Sequence, residues 1–193
     1  MSQLRCRCGA VQGNVDSRHS YARAVCYCTD CQAFARYLGS PDAILDKQGG
    51  TEIVAVLPAA VHLTAGLGRL ACMSLSPKGL LRWYATCCRT PIGNTPQERK
   101  TPYVGLIRAC LPNLDESFGP LKIALKTGSA TGKVRATPVA AFLGIMKIMR
   151  KVIGARLRGK DKVNPFFTPD SGAPIRAPQV LTLAERKSLA SAA

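Results

Sequence analysis

Seven of the nine cysteines in this 193-residue chain stand in three short clusters. Their sequences are Cys6-Arg7-Cys8-Gly9, Cys26-Tyr27-Cys28-Thr29-Asp30-Cys31 and Cys87-Cys88-Arg89. No apolar leader opens the sequence and no apolar run is long enough to span a bilayer, so we expect a cytoplasmic protein with reduced thiols. Closely spaced thiols in that compartment are typical of metal sites. Because thiolate sulfur suits zinc, the sequence predicts one structural zinc ion and room for a second, labile one.

The first and third clusters are predicted to share one metal ion. In an extended segment Cys6 and Cys8 point to the same side, so a single strand can present both sulfur atoms. Gly9 lets the backbone approach the ion closely. Two further ligands must come from elsewhere, and Cys87 and Cys88 stand at the end of a predicted strand. These four cysteines are the candidate ligands of a structural zinc ion.

The middle cluster is predicted to hold a different kind of site. Cys26 and Cys28 would come from a strand end, and Cys31 from the first turn of a helix that begins with the capping box Thr29-x-x-Gln32. A helix start favours the thiolate form of a cysteine. Three protein ligands leave the fourth zinc position open, as in catalytic sites. No His or Glu accompanies these ligands as a base, which favours thiolate exchange over water activation. An empty redox site is the alternative.

Short strands separated by Gly- and Pro-rich turns are predicted around the clusters. The predicted strands cover residues 4–16, 21–25, 52–57, 61–64, 71–75, 80–85 and 103–109. One helix, over residues 30–38, follows the middle cluster. We therefore expect a mainly β, antiparallel zinc-binding domain over residues 1–110 and a basic C-terminal extension over residues 111–193.

The extension contains the clearest helical pattern of the chain, over residues 139–157. Its apolar residues are predicted to form one face and its basic residues another. The apolar set is Phe142, Ile145, Met146, Met149, Val152 and Ile153, and the basic set is Lys147, Arg150, Lys151 and Arg158. Four prolines predict an extended or disordered segment over residues 164–178. A short helix is predicted over residues 183–189.

The net charge of +16 is concentrated after residue 94, where 17 Lys and Arg stand against 6 Asp and Glu. A basic amphipathic helix is typical of a nucleic-acid contact or of an interfacial membrane helix, so an acidic macromolecule is an expected partner. The alternative is a helix that packs on the sheet and keeps its basic face in water.

The three cysteine motifs, in this order, resemble those of the glutathione-dependent formaldehyde-activating (GFA) and centromere protein V-like family. The matching segments are Cys6-Arg7-Cys8-Gly9-Ala10-Val11, Cys26-Tyr27-Cys28-Thr29-Asp30-Cys31, Arg82-Trp83-Tyr84 and Cys88-Arg89-Thr90-Pro91-Ile92. The resemblance covers about residues 4–95 and implies an Mss4-like fold. It implies a structural zinc ion at the first and third motifs and a second, three-cysteine zinc at the middle one. It further implies glutathione or another small thiol as partner, and a carbon–sulfur lyase that forms S-hydroxymethylglutathione from glutathione and formaldehyde.

Three positions depart from the pattern of that family. Ala85 stands where the third motif begins with Cys, with Cys87 as a nearby replacement, while Arg89 replaces the usual Gly and Tyr27 a frequent His. Two functions are therefore expected from the sequence. The first is a zinc-dependent, GFA-like protein in which Cys26, Cys28 and Cys31 hold the catalytic ion. The second is a non-catalytic, zinc-stabilised interaction module with a basic surface.

Overall fold

The computed structural model describes residues 1–121 and 123–191 and is mainly β, with four α-helices in that part of the chain. The strands are β1 (Ser2–Arg5), β2 (Gln12–Val15), β3 (Ser20–Cys26), β4 (Thr51–Val56), β5 (Val61–Ala65), β6 (Leu70–Ser74), β7 (Leu81–Ala85), β8 (Pro91–Thr95), β9 (Val104–Ile107), β10 (Ile123–Leu125) and β11 (Gln179–Val180). The helices are α1 (Thr29–Tyr37), α2 (Leu114–Phe118), α3 (Pro138–Leu157) and α4 (Leu183–Ser191). The predicted helix after the middle cluster, the long basic helix and the last short helix are confirmed.

Two sheets organise these strands. The smaller sheet has the order β1-β2-β5, and the larger one β10-β3-β4-β9-β8-β7-β6-β11. The inner pairs of the larger sheet are antiparallel, as predicted, but β10 pairs parallel with β3 and β11 pairs parallel with β6. Both of these edge strands come from the C-terminal extension, which therefore completes the sheet on its two sides.

Two local predictions near the cysteines are wrong. Residues 4–16 do not form one strand, because β1 ends at Arg5 and pairs with β2 in a hairpin in which Arg5 faces Gln12. The Cys-x-Cys motif thus lies in the hairpin loop. The capping box is also absent: Cys28 precedes α1 without a side-chain cap, and the Gln32 amide instead donates to the carbonyls of Tyr27 and Ser129 at 2.9 and 2.8 Å.

The Pro-rich segment 164–178 is neither disordered nor peripheral. Phe166 is fully buried, and its ring lies 5.1 Å from that of Trp83 on β7. Phe167 is buried beside it, and the Ile175 amide donates to the Phe166 carbonyl at 3.0 Å. The segment lacks regular structure because of its prolines, yet its aromatic residues belong to the main core.

Helix α3 packs against β3 and β10, but through a different face from the predicted one. Gly144 and Ala155 are its buried residues, flanked by the half-buried Ile148 and Val152. Five of the six residues in the predicted apolar face are exposed to solvent beyond 40%: Phe142, Ile145, Met146, Met149 and Ile153. Among the described residues, no helix combines the length and apolar character needed to cross a membrane.

Candidate metal centres

Four sulfur atoms from the first and third cysteine clusters meet where the β1–β2 loop contacts the turn between β7 and β8. We call Cys6, Cys8, Cys87 and Cys88 the loop cluster. Cys6 Sγ lies 3.6 Å from Cys8 Sγ and 3.9 Å from Cys87 Sγ, while Cys8 Sγ lies 3.3 Å from Cys87 Sγ. The Cys87 and Cys88 sulfur atoms are 3.8 Å apart, and all four lie within 4.8 Å of one another. A tetrahedral zinc with four sulfur ligands has sulfur–sulfur edges of about 3.8 Å, so this donor set can hold a metal ion.

The β1–β2 loop fixes the first two sulfur atoms. The Cys6 amide donates to the Val11 carbonyl at 2.9 Å, and the Gly9 amide donates to the Cys6 carbonyl at the same distance. Gly9 adopts a φ of 77°, a left-handed conformation that glycine tolerates without strain. The Val11 amide then donates to Cys6 Sγ at 3.2 Å, which fixes the position of that sulfur atom.

A tight turn between β7 and β8 lets two adjacent cysteines face one centre. Arg89 has a φ of 53°, so the chain reverses directly after Cys88. The Thr90 hydroxyl lies 3.1 Å from Cys88 Sγ and accepts the Arg7 amide at 3.0 Å, which joins the two loops. Ala85 is buried within β7 and pairs with Leu70, so it lies in the sheet and offers no ligand atom.

Arg89 also connects the loop cluster to α1. Its guanidinium donates to the Leu38 carbonyl at 3.0 Å and to the Tyr37 carbonyl, at the end of the helix. The same group lies 5.4 Å from the centre of the Tyr37 ring. A cation at a helix C-terminus satisfies carbonyls that have no partner within the helix. Arg89 therefore joins the β7–β8 turn to the end of α1.

The thiols of the loop cluster differ in their tendency to ionise. Burial opposes ionisation of Cys88, but hydrogen bonds from the Thr90 hydroxyl and the Cys8 amide outweigh it and lower the Cys88 pKa to about 6. Burial and the neighbouring thiols raise the Cys87 pKa to about 12. In the absence of metal, Cys88 therefore loses its proton at a lower pH than Cys87 does.

The middle motif forms a second group, which we call the helix cluster: Cys26, Cys28 and Cys31. Cys26 ends β3, Cys28 directly precedes α1, and Cys31 lies in its first turn. Their sulfur atoms lie within 4.8 Å of one another. Within residues 1–121 and 123–191, no His, Asp, Glu or further Cys completes this group. A metal ion held here by three thiolates retains an open coordination position.

Ionisation in the helix cluster is centred on Cys28. Hydrogen bonds from the thiols of Cys26 and Cys31 lower the Cys28 pKa strongly, with further help from the Cys31 amide and the charge of Arg82. The same interactions with its two neighbours raise the pKa of Cys31, which is also buried. The helix start thus provides one thiolate as the first point of attachment for a metal ion.

Arg82 lies beside the helix cluster and was not predicted from the sequence to be a site residue. Only 3% of its side chain is exposed, yet its Nε has no hydrogen-bond partner among the described residues. Its guanidinium lies 4.0 Å from the Asp30 carboxylate and 5.3 Å from the centre of the Phe34 ring. Such an incompletely paired buried cation fits a site that gains negative charge when three thiolates bind a divalent ion. The signal available in the sequence was an arginine inside the apolar strand β7.

The two remaining cysteines are buried in the manner of small apolar residues. Cys72 and Cys110 are buried, and burial raises the pKa of each thiol to about 12. The Cys110 thiol donates to the carbonyls of Ile92 and Ile107 at 3.2 and 3.1 Å. Neither belongs to a group of potential metal ligands in the part of the chain that the structure describes.

Comparisons with known proteins give a family but no activity. No curated protein matches the sequence significantly. The crystal structure of a Rhodobacter sphaeroides protein is similar with a TM-score of 0.40 and 18% sequence identity, over 62% of this chain and 99% of that one. A protein family described as a family of unknown function matches residues 1–177. The chain therefore belongs to that family, DUF6151.

Proposed function

We propose that this chain is a zinc protein with a structural ion at the loop cluster and a reactive ion at the helix cluster, acting on a small thiol. The observation that carries the proposal is the helix cluster itself: three sulfur atoms at a helix start, with no fourth ligand among the described residues and a buried, incompletely paired Arg82 nearby. The loop cluster, with four ligands, has no open position and suits a structural role.

The resemblance of the cysteine motifs to the GFA family supports a reaction class for this site. In that reaction the sulfur of glutathione adds to the carbonyl carbon of formaldehyde, and the thiol proton ends on the carbonyl oxygen. Zinc at the helix cluster would supply a positive centre that favours the thiolate form of the substrate. The chain's own contribution is to hold three ligands and to offset their charge with Arg82. An Mss4-like fold belongs to the same proposal.

Metal stoichiometry with matched serine variants tests the two sites. We expect two zinc ions per chain in the wild-type protein. Cys28→Ser should lose one ion with little change in Tm, whereas Cys8→Ser should lose zinc and Tm together, because a structural ion contributes folding free energy directly. Cys72→Ala, a buried thiol outside both clusters, is the control and should keep both ions. Equal losses of Tm in Cys8→Ser and Cys28→Ser would contradict a separate reactive site.

A direct assay tests the reaction. The exchange rate between free formaldehyde and its glutathione adduct can be measured by NMR against the spontaneous background. The wild-type protein should accelerate this exchange, and Cys28→Ser should not. A chromogenic chelator should also detect labile zinc that glutathione either shields or extracts. No acceleration by the fully zinc-loaded protein would exclude this substrate pair.

The non-catalytic module remains the second candidate, because the four basic residues of α3 lie outside both clusters. It predicts a single zinc ion per chain that is released only on unfolding. The two candidates therefore differ in the stoichiometry that the serine variants measure.

A further inference from the structure

Helix α3 presents most of its large apolar side chains to solvent. It contacts the sheet through small residues: a Cβ added at Gly144 would lie 2.4 Å from Cδ1 of Ile123, and Ala155 is buried beside β3 and its neighbours. Close approach of the helix backbone is therefore built into the packing. The larger apolar residues are consequently turned away from the core.

These exposed side chains form a continuous surface, which we call the apolar ridge. Its members are Val139, Phe142, Leu143, Met146, Met149, Ile153 and Leu157. At 100° per residue they fall within an arc of about 120°. Phe142 is 64% and Leu157 83% exposed. Apolar residues scattered singly on a surface are ordinary, but a contiguous row along a 20-residue helix marks an interaction site.

A basic cleft runs along one side of the ridge. Its volume is about 530 Å³, and Leu143 and Met146 line both cleft and ridge. The other lining residues include the cations Lys147, Arg150, Lys151, Arg158 and Lys160. Residues 138–158 contain no Asp or Glu. Across the described residues, no salt bridge involves a Lys or Arg of α3, so their charge is available to an external anion.

The combination of an apolar ridge with a basic cleft restricts the class of partner that can bind here. A second copy of the chain would bring two helices of high positive charge together, since the net charge is +16. Nucleic acid would neutralise the positive charge of the cleft but would leave the apolar ridge in contact with a polar phosphate backbone. An anionic lipid surface satisfies both, because its phosphates can meet the cations while the ridge enters the acyl boundary.

We propose that α3 docks the protein on an anionic phospholipid membrane surface. The helix lies in the plane of the interface with the apolar ridge toward the acyl chains and lipid phosphate groups at the basic cleft. Each Lys or Arg near an anionic surface increases the partition coefficient roughly 5-fold, so removing three should lower it on the order of 100-fold. Removing three large side chains from the ridge should lower it by at least about 100-fold.

Vesicle co-sedimentation with the zinc-loaded full chain tests the proposal. The probes are vesicles of phosphatidylcholine with phosphatidylglycerol and vesicles of phosphatidylcholine alone. The charge variant is Lys147→Gln/Arg150→Gln/Arg158→Gln, and its matched control is Lys47→Gln/Lys78→Gln/Lys100→Gln, at exposed sites away from α3. The ridge variant is Phe142→Ser/Met146→Ser/Met149→Ser, with Leu67→Ser/Leu80→Ser as its control. All altered side chains are exposed, so zinc content and Tm should match the wild type.

We expect the wild type to bind anionic vesicles and to bind neutral ones far more weakly, with both α3 variants losing binding and both controls retaining it. Equal binding to the two vesicle types, or an unchanged ridge variant, would overturn the proposal. A wild-type dimer that the ridge variant converts to monomer, without vesicle binding, would assign the ridge to self-association instead. Binding of duplex DNA without binding of vesicles would assign the cleft to nucleic acid and equally refute membrane docking.

Discussion

Replacing Phe166 with Ala tests whether the Pro-rich segment is part of the core that supports the metal loops. Phe166 is fully buried and lies against Trp83, two residues before the end of β7, whose following turn carries Cys87 and Cys88. Removing a buried Phe side chain costs about 3–5 kcal/mol of unfolding free energy through lost burial and the cavity left behind. With an m-value of about 2 kcal/mol/M, the urea midpoint should fall by roughly 1.5–2.5 M.

The matched control is Phe142→Ala, which removes the same side chain from an exposed position on α3. It should change the free energy of unfolding by less than about 0.5 kcal/mol. Trp83 is the single tryptophan of the chain and is fully buried, so its fluorescence reports unfolding at the contact under study. Both variants should be measured with excess zinc so that metal loss does not contribute. If Phe166→Ala shifts the midpoint no more than Phe142→Ala does, the segment is not a core element and the described packing is wrong.

Three further predictions concern charge. Arg82→Met should weaken zinc binding at the helix cluster on the order of 10–100-fold while leaving the loop-cluster ion in place, as measured by chelator competition; unchanged affinity would remove Arg82 from the site. The triple variant Lys147→Glu/Arg150→Glu/Lys151→Glu should keep its full zinc content by metal analysis, because these residues lie outside both clusters, and zinc loss would show that α3 supports the metal sites. The guanidinium of Arg108, and then that of Arg23, lowers the pKa of Asp115 in the folded protein. The ionised carboxylate therefore stabilises the fold above the unfolded pKa of about 3.9, and this stabilisation is lost as pH falls through the folded pKa. Asp115→Asn should thus lower Tm at neutral pH, and its Tm difference from the wild type should shrink as pH falls below about 3.9; a Tm difference that does not change with pH would refute this linkage.

The sequence identified the cysteine groups because spacing and residue type carry that information locally. It predicted that Cys6 and Cys8 would join Cys87 and Cys88, and the structure brings these sulfur atoms together. It placed the first pair on a strand, however, because alternation of residue types cannot distinguish a strand from the loop of a tight hairpin. The turn depends on Gly9, whose backbone conformation is not readable from periodicity.

The orientation of α3 could not be predicted for a different reason. Its apolar residues extend around more than one face, and periodicity alone selects the side with the largest side chains. The sheet instead contacts the side with Gly144 and Ala155, about 130° away around the helix. The helix packs on the sheet through small residues because the opposing surface, which includes Ile123, leaves no room for larger ones.

Arg82 and Phe166 illustrate what long-range contacts add. An arginine within β7 gains meaning only when Asp30 and Phe34 are seen around it. The prolines around Phe166 predicted an extended or disordered segment, but two adjacent aromatic residues provided enough apolar surface to fix it in the core. In both cases the partners are separated by more than 40 residues, beyond the reach of local patterns.

The parallel edge strands have a consequence for the chain during its synthesis. Strand β3 cannot receive β10 until residue 125 has been made, and β6 cannot receive β11 until residue 180 has been made. Until then the nascent sheet exposes unpaired strand edges, which are templates for association with other chains. A ribosome stalled before residue 180 should therefore yield an aggregation-prone product that recruits holdase chaperones, and completion of β11 should release it.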